Sequence, residues 1–155
     1  IMWLPLVMTG LHHSIIPLHA ELIEMIGYTP LLPIFAMVGP GQIGAVLYVY
    51  SKTKSVRLKK VILGGIPVQF MGVGEPLIYG VTLPLFRPFI AACLSAGVGW
   101  ALCVVLGLHS VGMGLSGFPL ALMLNNPLVY VGVMLLVGVV SFFLTKILGF
   151  TDVED

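Results

Sequence analysis

Across residues 61–145 only two side chains carry a formal charge, Glu75 and Arg87. A carboxylate left without partners at bilayer depth costs roughly 2.5–3.5 kcal/mol on insertion scales. An acid in such surroundings must be held by partners or face a polar cavity, so Glu75 is the first candidate functional residue. The backbone beside it points the same way. Gly72, Gly74 and Gly80 surround the acid, and Pro76, Pro84 and Pro88 follow it, which interrupts helical hydrogen bonding too often for one straight spanning helix. Broken backbone at membrane depth persists only where protein buries it or where it lines a polar cavity. Residues 61–88 are therefore predicted to form a re-entrant or discontinuous segment with the acid near its break.

Composition sets the class around that segment. Hydrophobic residues make up 59% of the chain and charged residues 8%, with a mean hydropathy of +1.12, whereas soluble domains carry about 25% charged residues. The predicted fold class is an all-α membrane protein, a polytopic helical bundle with re-entrant or discontinuous hairpins. The formal charge of +1 says nothing about partners, but its distribution does. Five of the seven basic residues fall in residues 51–60, between two apolar stretches, which the positive-inside rule assigns to a cytoplasmic loop. No soluble domain accompanies that basic run, so it does not read as a nucleic-acid patch.

The remaining segments follow in order. Residues 1–16 are apolar except for Thr9, His12, His13 and Ser14, and read as the remainder of a spanning helix in an excerpt of a longer protein. On a helix His12 and His13 would lie about 100° apart, one facing a polar cavity and the other packing or capping. His19, Glu21 and Glu24 crowd together after Pro17 and suggest a wet interfacial segment. Residues 31–50 form a charge-free span with Gly39, Pro40, Gly41 and Gln42 inside it, where a kink or unwound turn is expected. Residues 89–108 are a span rich in small residues that permit close helix approach. Residues 109–117 read as a plain Gly/Ser turn, and they lack the spacing and lysine of a phosphate-binding loop. Residues 118–124 are short and apolar, 128–148 form the last span, and the acidic tail 151–155 is expected to be frayed. Cys93 and Cys103 have neither a CxxC spacing nor a neighbouring histidine, so they read as buried thiols, with no metal site. No repeat or linker divides residues 1–155.

Two motifs resemble a known family. Gly72-Val73-Gly74-Glu75-Pro76-Leu77-Ile78-Tyr79-Gly80-Val81 resembles the Gly-Ile-Thr-Glu-Pro signature of enzyme IIC permease subunits, in the glucose superfamily of the bacterial phosphoenolpyruvate-dependent sugar phosphotransferase system. Thr9-Gly10-Leu11-His12-His13-Ser14 resembles the Gly-Leu-His-His motif of the same subunits. Val73 and Gly74 depart from the commoner Ile and Thr, and the run as a whole looks most like the N-acetylmuramic acid branch.

The resemblance implies that residues 1–155 are the C-terminal, substrate-carrying half of a subunit of about ten helices, with the preceding half missing. It further implies a multi-pass protein of the bacterial inner membrane, embedded in the lipid bilayer and usually a homodimer. Sugar uptake would be coupled to phosphorylation of the sugar 6-hydroxyl by a phosphocysteine on a IIB domain. That phosphocysteine is the phosphoryl donor, and no other cofactor is implied. Glu75 would be the catalytic carboxylate, accepting the hydrogen bond of the sugar hydroxyl. His12 and His13 would bind sugar or balance the charge of Glu75, Gly74 would shape the site with its backbone, and Arg87 would meet a lactyl carboxylate or anchor at the interface. The alternative is a secondary transporter or channel that moves the sugar unmodified.

Overall fold

The structure, a computed structural model, describes residues 3–114 and 116–152. Among these, three helical stretches are long and apolar enough to cross a membrane: Leu31–Lys52, Arg87–Val105 and Pro127–Leu148. The first is two helices in line, α3 (Leu31–Ala36) and α4 (Val38–Lys52). They follow α1 (Trp3–Met8) and α2 (Ile16–Ile26). The break between α3 and α4 is at Met37, whose N–H donates to the Ile34 carbonyl three residues back at 3.2 Å. Pro40 has no N–H for the Ala36 carbonyl, and its ring crowds that carbonyl. The irregularity expected within residues 39–42 therefore falls one turn earlier.

Between the spans lies a hairpin. Its first limb is α5 (Val56–Phe70), and its return limb runs through α6 (Glu75–Leu77), a π-helical turn (Ile78–Thr82) and α7 (Leu83–Leu85). Gly65 abuts the Leu77 side chain, and a Cβ on Gly80 would come within 2.7 Å of Val61. Those pairings run antiparallel, so the chain doubles back. At 1.5 Å per residue α5 is about 22 Å long, short of the roughly 30 Å hydrocarbon core. This is the discontinuous hairpin expected of residues 61–88. Pro84 cannot donate to Gly80, and the return limb widens into the π turn just before it. Thr82 Oγ1 donates to Gln42 Oε1 at 2.8 Å, fastening that limb to α4. Phe86 ends α7 with φ of 58°, and α8 (Arg87–Val105) begins immediately after it.

The core is formed by α4, α8 and α9 (Pro127–Leu148), each packed against the other two. Gly44 lies against the backbone carbonyl of Gly138, and Gly41 against Ala92 and Ser95 of α8. Ser141 Oγ donates to the Gly41 carbonyl at 2.6 Å. Gly99 faces Met37 and Val137, so the small residues of α8 meet α4 and α9. Contact of this kind, with small residues admitting the neighbouring backbone, is how helices associate where no water is expelled. Cys93 and Cys103 are free and buried, as their spacing predicts.

At one end of the bundle, the turn after α4 holds Asp152. Thr53 Oγ1 donates to Asp152 Oδ1 at 2.5 Å and the Lys54 N–H to Oδ2 at 2.7 Å. Ser55 Oγ accepts from the Leu58 N–H and caps α5. Asp152 is therefore docked, where the sequence reads residues 151–155 as frayed; residues 153–155 lie outside the described residues.

The N-terminal segment also departs from expectation. Residues 3–16 are not one helix: α1 is six residues long, Gly10 reverses the backbone at φ 76°, and a 3-10 turn (Leu11–Ile15) leads into α2. Glycine tolerates that left-handed conformation where other residues strain. Residues 1 and 2 lie outside the described residues. Residues 109–117 are more than a plain turn, since Ser110 forms isolated antiparallel bridges to both Thr29 and Leu124. A 3-10 helix (Phe118–Met123) leads from there towards α9.

Candidate functional site

The hairpin tip, the 3-10 turn after α1 with the start of α2, the α3–α4 break and the loop after α8 line an open cavity of about 490 Å³. Glu75 is the first residue of α6, so the tip glycines set its position on the wall. Its side chain is exposed on the cavity rather than buried in the bundle.

Both histidines line the same cavity. Their ring centroids are 4.0 Å apart with planes tilted by 37°, so the expectation that only one would face it is corrected. The cause is local: the pair sits on a short 3-10 turn after a left-handed glycine, not on a regular helix. His12 is half-buried and His13 exposed. Burial and then the neighbouring His13 hold the His12 imidazole below its ordinary value of 6.5, while the Glu75 carboxylate and the Val7 backbone carbonyl work the other way. At neutral pH His12 is therefore an uncharged hydrogen-bonding ring more than a counter-cation for Glu75.

Gly74 also lines the cavity. A Cβ there would stand 3.0 Å from Gln69 Oε1, so a larger residue at this position would push the Gln69 amide aside. Arg87 is placed elsewhere. It is exposed outside the cavity lining, and its Nη1 donates to the Leu148 carbonyl at 3.2 Å, where a cation complements the last turn of α9.

Three contributors escaped the sequence reading. His19 is 7% exposed, lines the cavity, and its Nδ1 lies 3.0 Å from Thr29 Oγ1; it is not part of a wet surface. Met113 and Ser116 bring the loop after α8 over the site. That loop is pinned where Gly117 meets the Phe70 carbonyl and the Gly72 N–H, and where Tyr130 OH donates to the Gly117 carbonyl at 2.9 Å. Gln69 is the third. Its signal in the sequence was that it is the sole side-chain amide in residues 61–124.

Fold and cavity together define an all-α, polytopic membrane protein whose acid and paired imidazoles meet at the tip of a discontinuous hairpin. Residues 1–97 match the family described as Phosphotransferase system, EIIC, and the chain belongs to that family. Among its relatives is a PTS system MurNAc-GlcNAc-specific EIIBC component of Staphylococcus haemolyticus, 53% identical over 122 residues, covering 76% of this chain and 25% of that protein. The protein of the same name from Staphylococcus saprophyticus is 43% identical over 155 residues, covering 96% of this chain and 32% of the relative. The chain thus spans about a quarter to a third of the length of these curated relatives. No solved structure matches it.

Proposed function

We propose that this chain forms the sugar-holding part of a phosphotransferase-system permease, which brings a sugar across the bacterial inner membrane and presents its 6-hydroxyl for phosphorylation. The observation that carries the proposal is the convergence of Glu75, His12 and His13 on one cavity of about 490 Å³. That volume lies within the usual range of small-molecule sites. A carboxylate accepting the hydrogen bond of a sugar hydroxyl raises its nucleophilicity and orients it for in-line attack on the arriving phosphorus. The imidazoles hydrogen-bond neighbouring hydroxyls, and the Gly74 backbone lets the sugar approach closely. The phosphoryl group comes from a phosphocysteine on a IIB domain, with no further cofactor.

The relatives' name favours N-acetylmuramic acid or N-acetylglucosamine as the sugar, and it favours a B domain on the same polypeptide. Arg87 has the weakest place in this scheme, since its hydrogen bond to Leu148 suits an interfacial anchor. Residues 51–60, in which α4 ends and α5 begins around the turn 53–55, face the cytoplasm in this reading, and a homodimer is the expected assembly.

The test uses the full-length subunit in vesicles with N-acetylglucosamine. Sugar 6-phosphate should accumulate only when the phosphorylated IIB domain is supplied. Accumulation of unmodified sugar would instead assign the site to a secondary transporter or channel.

A further inference from the structure

Gln69 stands out among the buried polar groups. It lies on the last turn of α5, is 4% exposed and lines the cavity, yet its Oε1 has no hydrogen-bond partner among the described residues. The surrounding backbone is cut away for it. A Cβ on Gly39 would lie 3.0 Å from Gln69 Nε2, and one on Gly74 3.0 Å from Oε1, so the amide sits in a slot between two glycines of different elements. A buried amide oxygen without a donor destabilises the empty protein. A group that persists in that condition on a cavity wall is suited to a partner that the ligand brings.

The geometry points to Gln69 as the residue that recognises the 2-acetamido group of an N-acetylated amino sugar, which deepens and rests on the sugar reading above. Whichever way the terminal amide is turned, it presents one N–H edge and one C=O edge. An acetamido group offers the complementary pair, C=O and N–H, whereas a 2-hydroxyl offers one oxygen. Phe35 and Ala36, one helical turn before Gly39 on the same wall, supply apolar surface for the acetyl methyl. Glu75, the first residue after Gly74, lines the same cavity as Gln69. One rigid tip thereby couples recognition of the 2-substituent to placement of the carboxylate.

The experiment compares wild type with Gln69→Met in the full-length subunit, Met being apolar and of similar length. Affinities for N-acetylglucosamine and glucose are measured together with the thermal midpoint of the sugar-free protein. The variant should bind N-acetylglucosamine about tenfold or more weakly, the scale of a lost hydrogen-bond pair. Its affinity for glucose should fall less than that for N-acetylglucosamine, since a 2-hydroxyl meets the amide with one oxygen only, and its sugar-free midpoint should be unchanged or higher, because an unsatisfied buried group has gone. Unchanged N-acetylglucosamine affinity, an equal loss for both sugars, or a lowered sugar-free midpoint would each overturn the assignment. Wild-type protein that binds neither sugar overturns the sugar reading and this inference with it, whereas wild-type binding that survives in the variant overturns the inference alone.

Discussion

Glu75 owes its position to its neighbours in sequence. It follows Gly74 and precedes Pro76, so the helix it begins cannot start earlier without a cost in backbone entropy, and the proline fits the first turn because no N–H is needed there. Glu75→Gln keeps the shape and removes the charge. Sugar phosphorylation should then fall by about 10² or more, the scale of a lost general base, with membrane insertion unchanged; near wild-type turnover would end the role. The two imidazoles are expected to act together. His12→Ala and His13→Ala should each weaken sugar affinity about fivefold or more, whereas variants that lose expression but keep affinity would make the pair structural. His12 also carries a pH signature. Because its native value lies below 6.5, the unfolded chain takes up that proton first as pH falls. Stability is therefore fully present above pH 6.5 and declines as pH drops from there towards the native value. Buried His19, also lowered by desolvation, adds to the same slope. Thermal midpoints between about pH 7.5 and 5 should fall less steeply in His12→Ala than in wild type, and parallel curves would contradict the shift. At this scale the acid was legible because charge is so rare in its surroundings. Gln69 and His19 were not, since a lone amide or a histidine near two glutamates looks the same in sequence whether it is solvated or enclosed.

The hairpin is held by absence of side chains. Gly65 lies against Leu77, which is fully buried, and this contact sets the separation of the two limbs. Gly65→Ala should destabilise the protein by about 1–3 kcal/mol, as overpacking does, read as a lower thermal midpoint in detergent. Combining it with Leu77→Ala should return part of the loss, and strict additivity of the two changes would mean that the limbs are not in contact there. The doubling-back of residues 61–88 was legible from glycine, proline and the stranded acid. The fate of residues 1–16 was not. An apolar run reads as a helix, and a single Gly10 gives no warning that the chain turns left-handed and places both histidines on one cavity. The loop at 109–117 was misjudged for a related reason: glycine and serine mark flexibility in sequence, but Tyr130, which fixes the loop at Gly117, is thirteen residues further on.

For the molecule as a whole, three spans and a hairpin place the turn after α4 and the end of α9 at the same end, joined through Asp152. In a protein with Cys93 and Cys103 replaced, single cysteines at Lys54 and Thr151, both exposed, should label from one side of the membrane, the cytoplasmic side. Labelling from opposite sides would reject the hairpin topology. The three long spans and the class were legible from hydropathy, because bilayer thickness dictates length, although residues 1–16 read in sequence as part of a further span. The joining of residues 53 and 152 was not, as no local pattern records a contact across 99 positions. That joint has a mechanical meaning. The hairpin leaves the bundle at residues 53–55 and returns at Phe86, so it is anchored at that end, while Thr82 holds its return limb to α4 and Gly117 packs against its tip at Phe70 and Gly72. For a limb of about 22 Å, a rocking of only about 5° at the anchored end would carry the tip through about 2 Å. Displacements of that size separate a reacting geometry from an idle one. Thr53, Asp152 and the Arg87 anchor, far from any sugar, thus share with the contacts of Thr82 and Gly117 the task of aiming the acid.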